Sequence, residues 1–435
     1  MKILLSVLIC LSVFTSNAQD VIYPAKPNNG SYTITNATIH IGNGQVIENG
    51  FITVNKSTIE AVGLMSNLTT NPKNVIDAKG KHVYPGLILP TSQLGIKEIG
   101  GNAVRGSNDY FELGETNTNI RSIAAYNTDS KIIRTVLTNG ILLAHIIPQG
   151  SFISGTSSVV QLDAWNYEDA AYSIDNGINL YMPSLLPRPT GGRFGGFNNA
   201  PQNDPVKEAL EKIEAVKQMF REAKAYFNTP NATPNLKFDA LKGLFAKKQK
   251  LFVHCNQVKQ MLLAIDFVKE FNVDVVLVGA SESFQIAKIL KDNNIAVILS
   301  QQHSLPTLDD DDIDQPYKQA ATLQKAGVLF CINDDDEQNR GRNLPFNAGT
   351  AAAYGLTKEE ALQAITLNTA KILGIDAKTG SIEVGKDANI IISEGDVLDM
   401  RTSKITHAFI QGRQVSLDDK HKQLNERYKQ KYGLK

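Results

Sequence analysis

The sequence predicts an α/β protein with two parts: a central parallel sheet of βα units and a small β domain that both ends of the chain build together. The centre alternates short apolar runs with longer runs at helical spacing, as in 251–254 followed by 257–271. The two ends instead alternate apolar and polar residues between turn dipeptides, as in 32–63 and 405–415. Strand-rich ends around a mixed centre indicate one β domain formed from both termini.

The central elements follow one another in a regular order. Asp204 and Pro205 are a helix cap and a first-turn proline, and they begin a long amphipathic helix. Its apolar residues keep helical spacing; they are Val206, Leu210, Ile213, Val216 and Phe220. The later runs predict strands at 273–278, 295–299 and 328–332, with a helix at 284–292. The charged tail at 417–435 predicts a surface helix.

The composition limits the size of the core and the classes of partner that the chain is expected to bind. The chain has 435 residues, 42% of them hydrophobic, which is enough for a large core and two domains. Lysine and arginine total 44, as do aspartate and glutamate. This balance gives no electrostatic reason to expect binding to nucleic acid or to a membrane surface, so we expect neither.

The first 18 residues have the pattern of a secretory signal peptide. Lys2 is followed by an almost wholly apolar run at 3–14, and Ser16-Asn17-Ala18 forms a small-residue cleavage site. The apolar run is too short to span a membrane. We therefore expect an exported chain that is periplasmic or secreted after cleavage.

Two cysteines, Cys255 and Cys331, lie in apolar strand-like runs of the mature chain. Two cysteines do not make a disulfide framework, and packing in the core is the expected role. His254 adjoins Cys255, which raises the alternative of a Cys/His nucleophile pair. Adjacent residues on a strand face opposite ways, however, so their side chains should diverge.

Two regions of the chain carry a recognisable motif. Residues 83–95 read V-Y-P-G-L-I-L-P-T-S-Q-L-G. Residues 361–375 read A-L-Q-A-I-T-L-N-T-A-K-I-L-G-I, and residues 380–389 follow with G-S-I-E-V-G-K-D-A-N. The first region resembles the first barrel strand of the amidohydrolase superfamily, and the second resembles its long C-terminal pattern. Within that superfamily the chain is most similar to the exported imidazolonepropionase-like members.

The resemblance implies a (β/α)8 TIM-type barrel with a small β-sandwich domain formed from both termini. We predict a signal peptide at 1–18, a composite sandwich at 19–84 and 376–416, a barrel at 85–375 and a charged tail at 417–435. Chemistry in such barrels sits at the C-terminal ends of the strands.

The resemblance also implies metal-ligand positions, and most of them are altered. The first-strand histidine pair falls on Thr91 and Gln93, and the sixth-strand histidine falls near Gly279. The bridging residue of the fourth strand has no clear counterpart around 181–183. The fifth-strand histidine is retained as His254, and the eighth-strand aspartate aligns best with Asp335, with Asp334 next.

Two further histidines follow predicted strands. His145 ends an apolar run, and His303 lies just past a strand end. Together with His254 and Asp335 they could converge at one barrel mouth, a ligand set that suits a single zinc ion. A strand-end histidine can equally be a hydrogen-bonded structural residue.

The candidate substrate-binding side chains are Arg340, Arg342 and Gln93. The two arginines suit a substrate carboxylate, although surface salt pairing explains them equally well.

The first functional hypothesis is a hydrolase of a non-peptide carbon–nitrogen bond in a cyclic or linear amide or lactam, with at most one divalent metal, zinc. Asp335 would be the general base and would share the metal with His254. The alternative is an inactive pseudoenzyme that binds a small molecule or pairs with an active amidohydrolase chain. A third hypothesis is metal-free acid/base hydrolysis by Asp335 and His254. A homodimer is the default assembly.

Overall fold

The computed structural model describes residues 22–69, 71–98, 109–150, 152–185, 204–307, 310–334 and 340–434. The predicted signal peptide lies outside these residues. In the described ranges, no helix combines the length and apolarity needed to cross a membrane.

The small domain takes strands from both termini, as the sequence predicts. Their hydrogen bonds form one sheet in the order β16-β15-β14-β5-β1-β2-β3, with β4 paired beside β5 on β1. The strands surround a shared apolar core that includes Ile34, Ile52, Ile390 and Phe409. The strands are β1 (Ser31–His40), β2 (Val46–Asn55), β3 (Thr58–Leu64), β4 (Val75–Asp77), β5 (His82–Pro85), β14 (Ile390–Ser393), β15 (Ile405–Ile410) and β16 (Arg413–Gln414).

The second sheet is a nearly closed barrel, which confirms the predicted fold class. Its strands pair in chain order, from β6 at one end to β13 at the other. They are β6 (Leu87–Ser92), β7 (Ile141–Ile146), β8 (Ile153–Gln161), β9 (Ala171–Tyr181), β10 (Lys250–Cys255), β11 (Val275–Gly279), β12 (Ala296–Leu299) and β13 (Phe330–Ile332).

One strand departs from the strict βα repeat. β8 runs antiparallel to both of its neighbours, whereas the other ladders of the barrel are parallel. The connection from β7 to β8 spans only residues 147–152. A parallel return needs a crossover of a dozen or more residues, so this short connection makes a hairpin instead.

Helices lie along the barrel sheet, and one of them packs against the side chains that fill the barrel. The side chains of Ala370, Ile372 and Leu373 pack against the interior residues Phe252 and Cys331. The helices are α1 (Lys131–Leu137), α2 (Tyr167–Ala170), α3 (Pro205–Phe227), α4 (Leu236–Asp239), α5 (Lys242–Phe245), α6 (Val258–Phe271), α7 (Ala287–Asp292), α8 (Gln315–Ala326), α9 (Leu344–Ala353), α10 (Lys358–Ala364), α11 (Leu367–Leu373) and α12 (Lys420–Tyr432).

Several local predictions are confirmed. Asp204 caps α3 by accepting a hydrogen bond from the Val206 amide at 3.0 Å. Leu210 is the exception on that helix, because its side chain is exposed. Cys255 and Cys331 are free and buried, and burial raises the pKa of the Cys255 thiol to about 12. Both therefore act as core residues. α12 is a surface helix with no buried residue.

Candidate functional site

His254 lies near the C-terminal end of β10, where the sequence places it. Its Nε2–H donates to Asn179 Oδ1 at 3.1 Å, and its ring stacks on Tyr181 with 3.9 Å between centroids. Desolvation by burial and, to a lesser extent, the nearby His145 lower its pKa to about 3. His254 is therefore a neutral imidazole whose lone pair is on Nδ1.

His145 lies on β7 in the same barrel interior and is completely buried. Its Nδ1 is 2.9 Å from the Pro90 carbonyl oxygen, and its Nε2 is 3.1 Å from Asn176 Oδ1. Desolvation lowers its pKa to about 4, although the two hydrogen bonds partly offset that effect. Because a buried protein oxygen lies against each ring nitrogen, neither nitrogen is open to a metal. The geometry matches the alternative interpretation, in which His145 is a hydrogen-bonded structural residue and not a metal ligand.

His303 is not brought together with the other two histidines. It follows β12, but its Nε2 is 2.7 Å from Thr350 Oγ1 on α9. There it lines a surface cavity of about 390 Å³ with Lys358 and Asp396. The amide of His303 is tied to the same helix, since it donates to Asn347 Oδ1 at 3.1 Å.

At the first-strand ligand position, Thr91 is held by two hydrogen bonds to Asn333. Asn333 Nδ2 donates to Thr91 Oγ1, and the Thr91 amide donates to Asn333 Oδ1 at 3.4 Å. Both residues are buried. Their hydrogen bonds join β6 to the residue after β13, the two strands at opposite ends of the barrel sheet. Gln93 is partly buried in the turn after β6, where its carbonyl accepts from the amide of Ile96.

The backbone at the sixth-strand ligand position favours glycine over a residue with a side chain. Gly279 has a φ of +88°, a region that favours glycine. A Cβ there would lie 2.7 Å from Asn256 Oδ1 and 3.3 Å from the Cys255 carbonyl oxygen. The side chain of Asn256 thus occupies the space that a ligand from β11 would need.

The acidic run after β13 is described only in part. Asp334 is buried and accepts a hydrogen bond from Asn347 Nδ2 at 3.0 Å. Asp335, the predicted general base, lies outside the described residues. Arg342 is exposed in a short 3-10 helix that also contains Arg340, whose side chain is outside the description.

These positions do not fit a metal site. Among the residues that the structure describes, no three histidine, cysteine, aspartate or glutamate side chains are grouped so that they could hold an ion. Of the predicted ligands that the structure describes, His254 lies at the barrel mouth and keeps a lone pair on Nδ1. A single imidazole, even joined by Asp335, falls short of the three protein ligands of a catalytic zinc site.

Tyr181 connects the mouth to a neighbouring cavity of about 520 Å³. Its ring covers His254 on one side, and its hydroxyl donates to the Pro148 carbonyl at 3.1 Å. Sequence reasoning missed Tyr181, Asn179, Asn256 and Asn333, because a strand-end tyrosine or asparagine has no ligand pattern of its own.

Comparison with known proteins identifies a matching family and several relatives of this chain. The sequence profile of the Amidohydrolase family matches residues 152–415. The imidazolonepropionase of Flavobacterium psychrophilum is 25% identical over 373 residues, which are 80% of this chain and 86% of that protein. The imidazolonepropionase of Thermoplasma volcanium is 40% identical over 86 residues, 19% of this chain, and the match spans 21% of that relative's length.

Solved structures share the fold. An amidohydrolase from Thermotoga maritima superposes with a TM-score of 0.74 at 22% identity, covering 88% of this chain and 99% of that one. An adenosine deaminase from Xanthomonas campestris, solved with bound zinc, has a TM-score of 0.53 at 14% identity and covers 93% and 98%. Divalent metals are typical of the family. The profile match covers more than half of the sequence, and the chain therefore belongs to the amidohydrolase family.

Proposed function

We propose that the barrel mouth binds a small cyclic or linear amide without hydrolysing it, so that the chain is a binding or partner member of its family. The observation that supports this most directly is Gly279. Its positive φ disfavours any residue with a side chain, and the Asn256 side chain lies where a Cβ on the sixth strand would be.

Two further contacts support the same proposal. Thr91 and Asn333 satisfy each other's hydrogen bonds at the first-strand position. His145 uses both ring nitrogens within the protein. A metal accelerates amide hydrolysis by activating water and by polarising the carbonyl. The described side chains supply too few ligands for that chemistry.

The second candidate is the hydrolase hypothesis, in which the chain cleaves a non-peptide carbon–nitrogen bond. Similarity to imidazolonepropionases over most of the chain favours it. So does His254, because its bond to Asn179 fixes the tautomer and leaves Nδ1 as an acceptor. Asp335 would be the general base.

One experiment separates the two candidates. The purified mature chain is analysed for zinc and other divalent metals, before and after loading with zinc. It is then tested for binding and turnover of an imidazolone, a hydantoin and a lactam. We expect no stoichiometric metal, no turnover, and binding that His254→Ala weakens.

The variant Asp335→Asn tests the predicted general base, and the exposed Asp129→Asn serves as its control. Stoichiometric zinc together with turnover that Asp335→Asn abolishes would replace the binding proposal with the hydrolase. Turnover that survives chelation but needs both Asp335 and His254 would instead favour metal-free acid/base hydrolysis.

We also propose that the chain acts outside the cytoplasm, as residues 1–18 predict, where it forms a homodimer or pairs with an active amidohydrolase chain. N-terminal sequencing of the protein from the periplasmic and secreted fractions tests the export step. A mature protein that still begins at Met1 contradicts it. Size-exclusion chromatography of that fraction tests the assembly, and a monomer without a partner contradicts the pairing.

A further inference from the structure

The cavity beside the barrel mouth has the size of a ligand site and a lining that the amide proposal does not explain. Its volume of about 520 Å³ lies within the usual range for small-molecule pockets. The rings of Phe111, Phe152 and Tyr181 line it together with Pro183. Phe111 lies in a loop and is half exposed, so its apolar ring is available to a ligand.

The aromatic wall is held in place by the backbone. Phe111 lies against Gly150, where an added Cβ would be 2.0 Å from Phe111 Cδ2. Gly150 also has a φ of +115°, which disfavours other residues. Hydrogen bonds fasten the loop on both sides of the ring: Gln149 N to Tyr110 O at 2.7 Å and Ile153 N to Glu115 O at 2.9 Å. The wall is thus formed before any ligand arrives.

The charged residues of the lining are two acids and one base. Glu115 is 3.4 Å from Lys212, so those two charges are paired. Glu112 also lines the cavity, and within the described part of the chain no cation pairs with it. Among the described lining residues, the charges therefore sum to one negative charge, which lies on exposed Glu112 next to aromatic rings.

We propose that this cavity binds an organic cation with a flat apolar ring, such as an arylalkyl ammonium group. Aromatic rings attract a cation through their negative faces, and a carboxylate adds direct attraction. The inference rests on the proposed binding function and names the ligand class: a small amide with a cationic, ring-bearing substituent. The amide would lie at the barrel mouth, and Tyr181 would separate it from the substituent.

Probes without an amide test the cavity separately from the barrel mouth. We would measure by calorimetry the binding of 2-phenylethylammonium, neutral 2-phenylethanol and phenylacetate to the full mature chain. The cation should bind about tenfold more tightly than the neutral probe, and the anion more weakly than both.

Two variants locate the effect. Glu112→Gln should reduce the preference for the cation over the neutral probe, leaving the part that the aromatic rings supply, while the exposed Glu48→Gln on β2 changes nothing. Gly150→Ala should weaken all three probes, because it displaces Phe111. Circular dichroism checks that each variant is folded.

Equal affinity for the three probes, no binding of any of them, or a cation preference that is undiminished in Glu112→Gln would each overturn the inference. The result is independent of the amide test. Turnover of an amide with the cation preference retained would overturn the proposed function alone.

Discussion

At the residue scale, the function of each histidine is decided by what its two ring nitrogens contact. His254 has one nitrogen bound to Asn179 and one left as an acceptor. His145 has both nitrogens against protein oxygens, and His303 is turned toward Thr350 on α9. The same residue type at the end of three barrel strands thus gives one candidate for chemistry and two structural residues.

The burial of His145 predicts a loss of stability in acid. The folded chain keeps His145 neutral to about pH 4, whereas the unfolded chain takes up the proton near pH 6.5. The unfolded state therefore binds more protons between these values, and stability falls as the pH drops through this window. His145→Gln should lose on the order of 3 kcal/mol less stability between pH 6.5 and pH 4 than the parent chain.

Urea unfolding across that pH range measures the effect. The exposed His421→Gln on α12 is the control, and its pH dependence should match that of the parent chain. If His145→Gln keeps the full acid loss, the buried imidazole is not its source.

At the element scale, tight packing overrides the local preference of a helix. Gly349 lies in α9, where glycine costs about 1 kcal/mol relative to alanine. However, a Cβ at this position would lie 2.2 Å from the Leu398 carbonyl oxygen, which belongs to backbone and cannot swing aside. The glycine lets α9 lie directly against the segment that follows β14.

We therefore predict that Gly349→Ala destabilises the chain by about 1–3 kcal/mol, despite the gain in helix propensity. Thermal unfolding followed by circular dichroism is the measurement. Gly63→Ala on β3 is the matched control, because the nearest atom to its new Cβ is 3.5 Å away. A stabilised Gly349→Ala variant would show that the contact with Leu398 relaxes easily.

At the scale of the whole molecule, one buried carboxylate joins the two domains. Asp163 follows β8 of the barrel and lies 3.2 Å from Arg413 of the small domain. It also lies 3.2 Å from Arg134 on α1, and it accepts from the amide of Ala25 at 2.8 Å. Segments that are far apart in the sequence thus meet at one anion.

Removing that charge leaves two arginines without their shared partner. We predict that Asp163→Asn lowers the free energy of unfolding by about 3 kcal/mol, as expected when a buried ion pair loses one member. Guanidinium unfolding measures it, and Asp129→Asn on the exposed surface serves as the control. A variant as stable as the parent would contradict a stabilising role for the buried charge of Asp163.

Much of the architecture could be predicted from sequence because it depends on neighbouring residues. The alternation of strands and helices, the cap at Asp204 and the position of His254 on a strand all follow from local pattern. The reversed strand β8 was missed, because its short connection is recognisable only once both strand ends are known.

The sequence by itself determined the family, the barrel with a β domain from both ends, and which metal-ligand positions were replaced. Only the tertiary structure decided what occupies those positions. Thr91 and Asn333 are 242 residues apart in the chain, and Asn256 fills the space beside Gly279 from a neighbouring strand end. Periodicity encodes which face of an element is buried, whereas the partner of each side chain depends on contacts between elements that no local pattern contains.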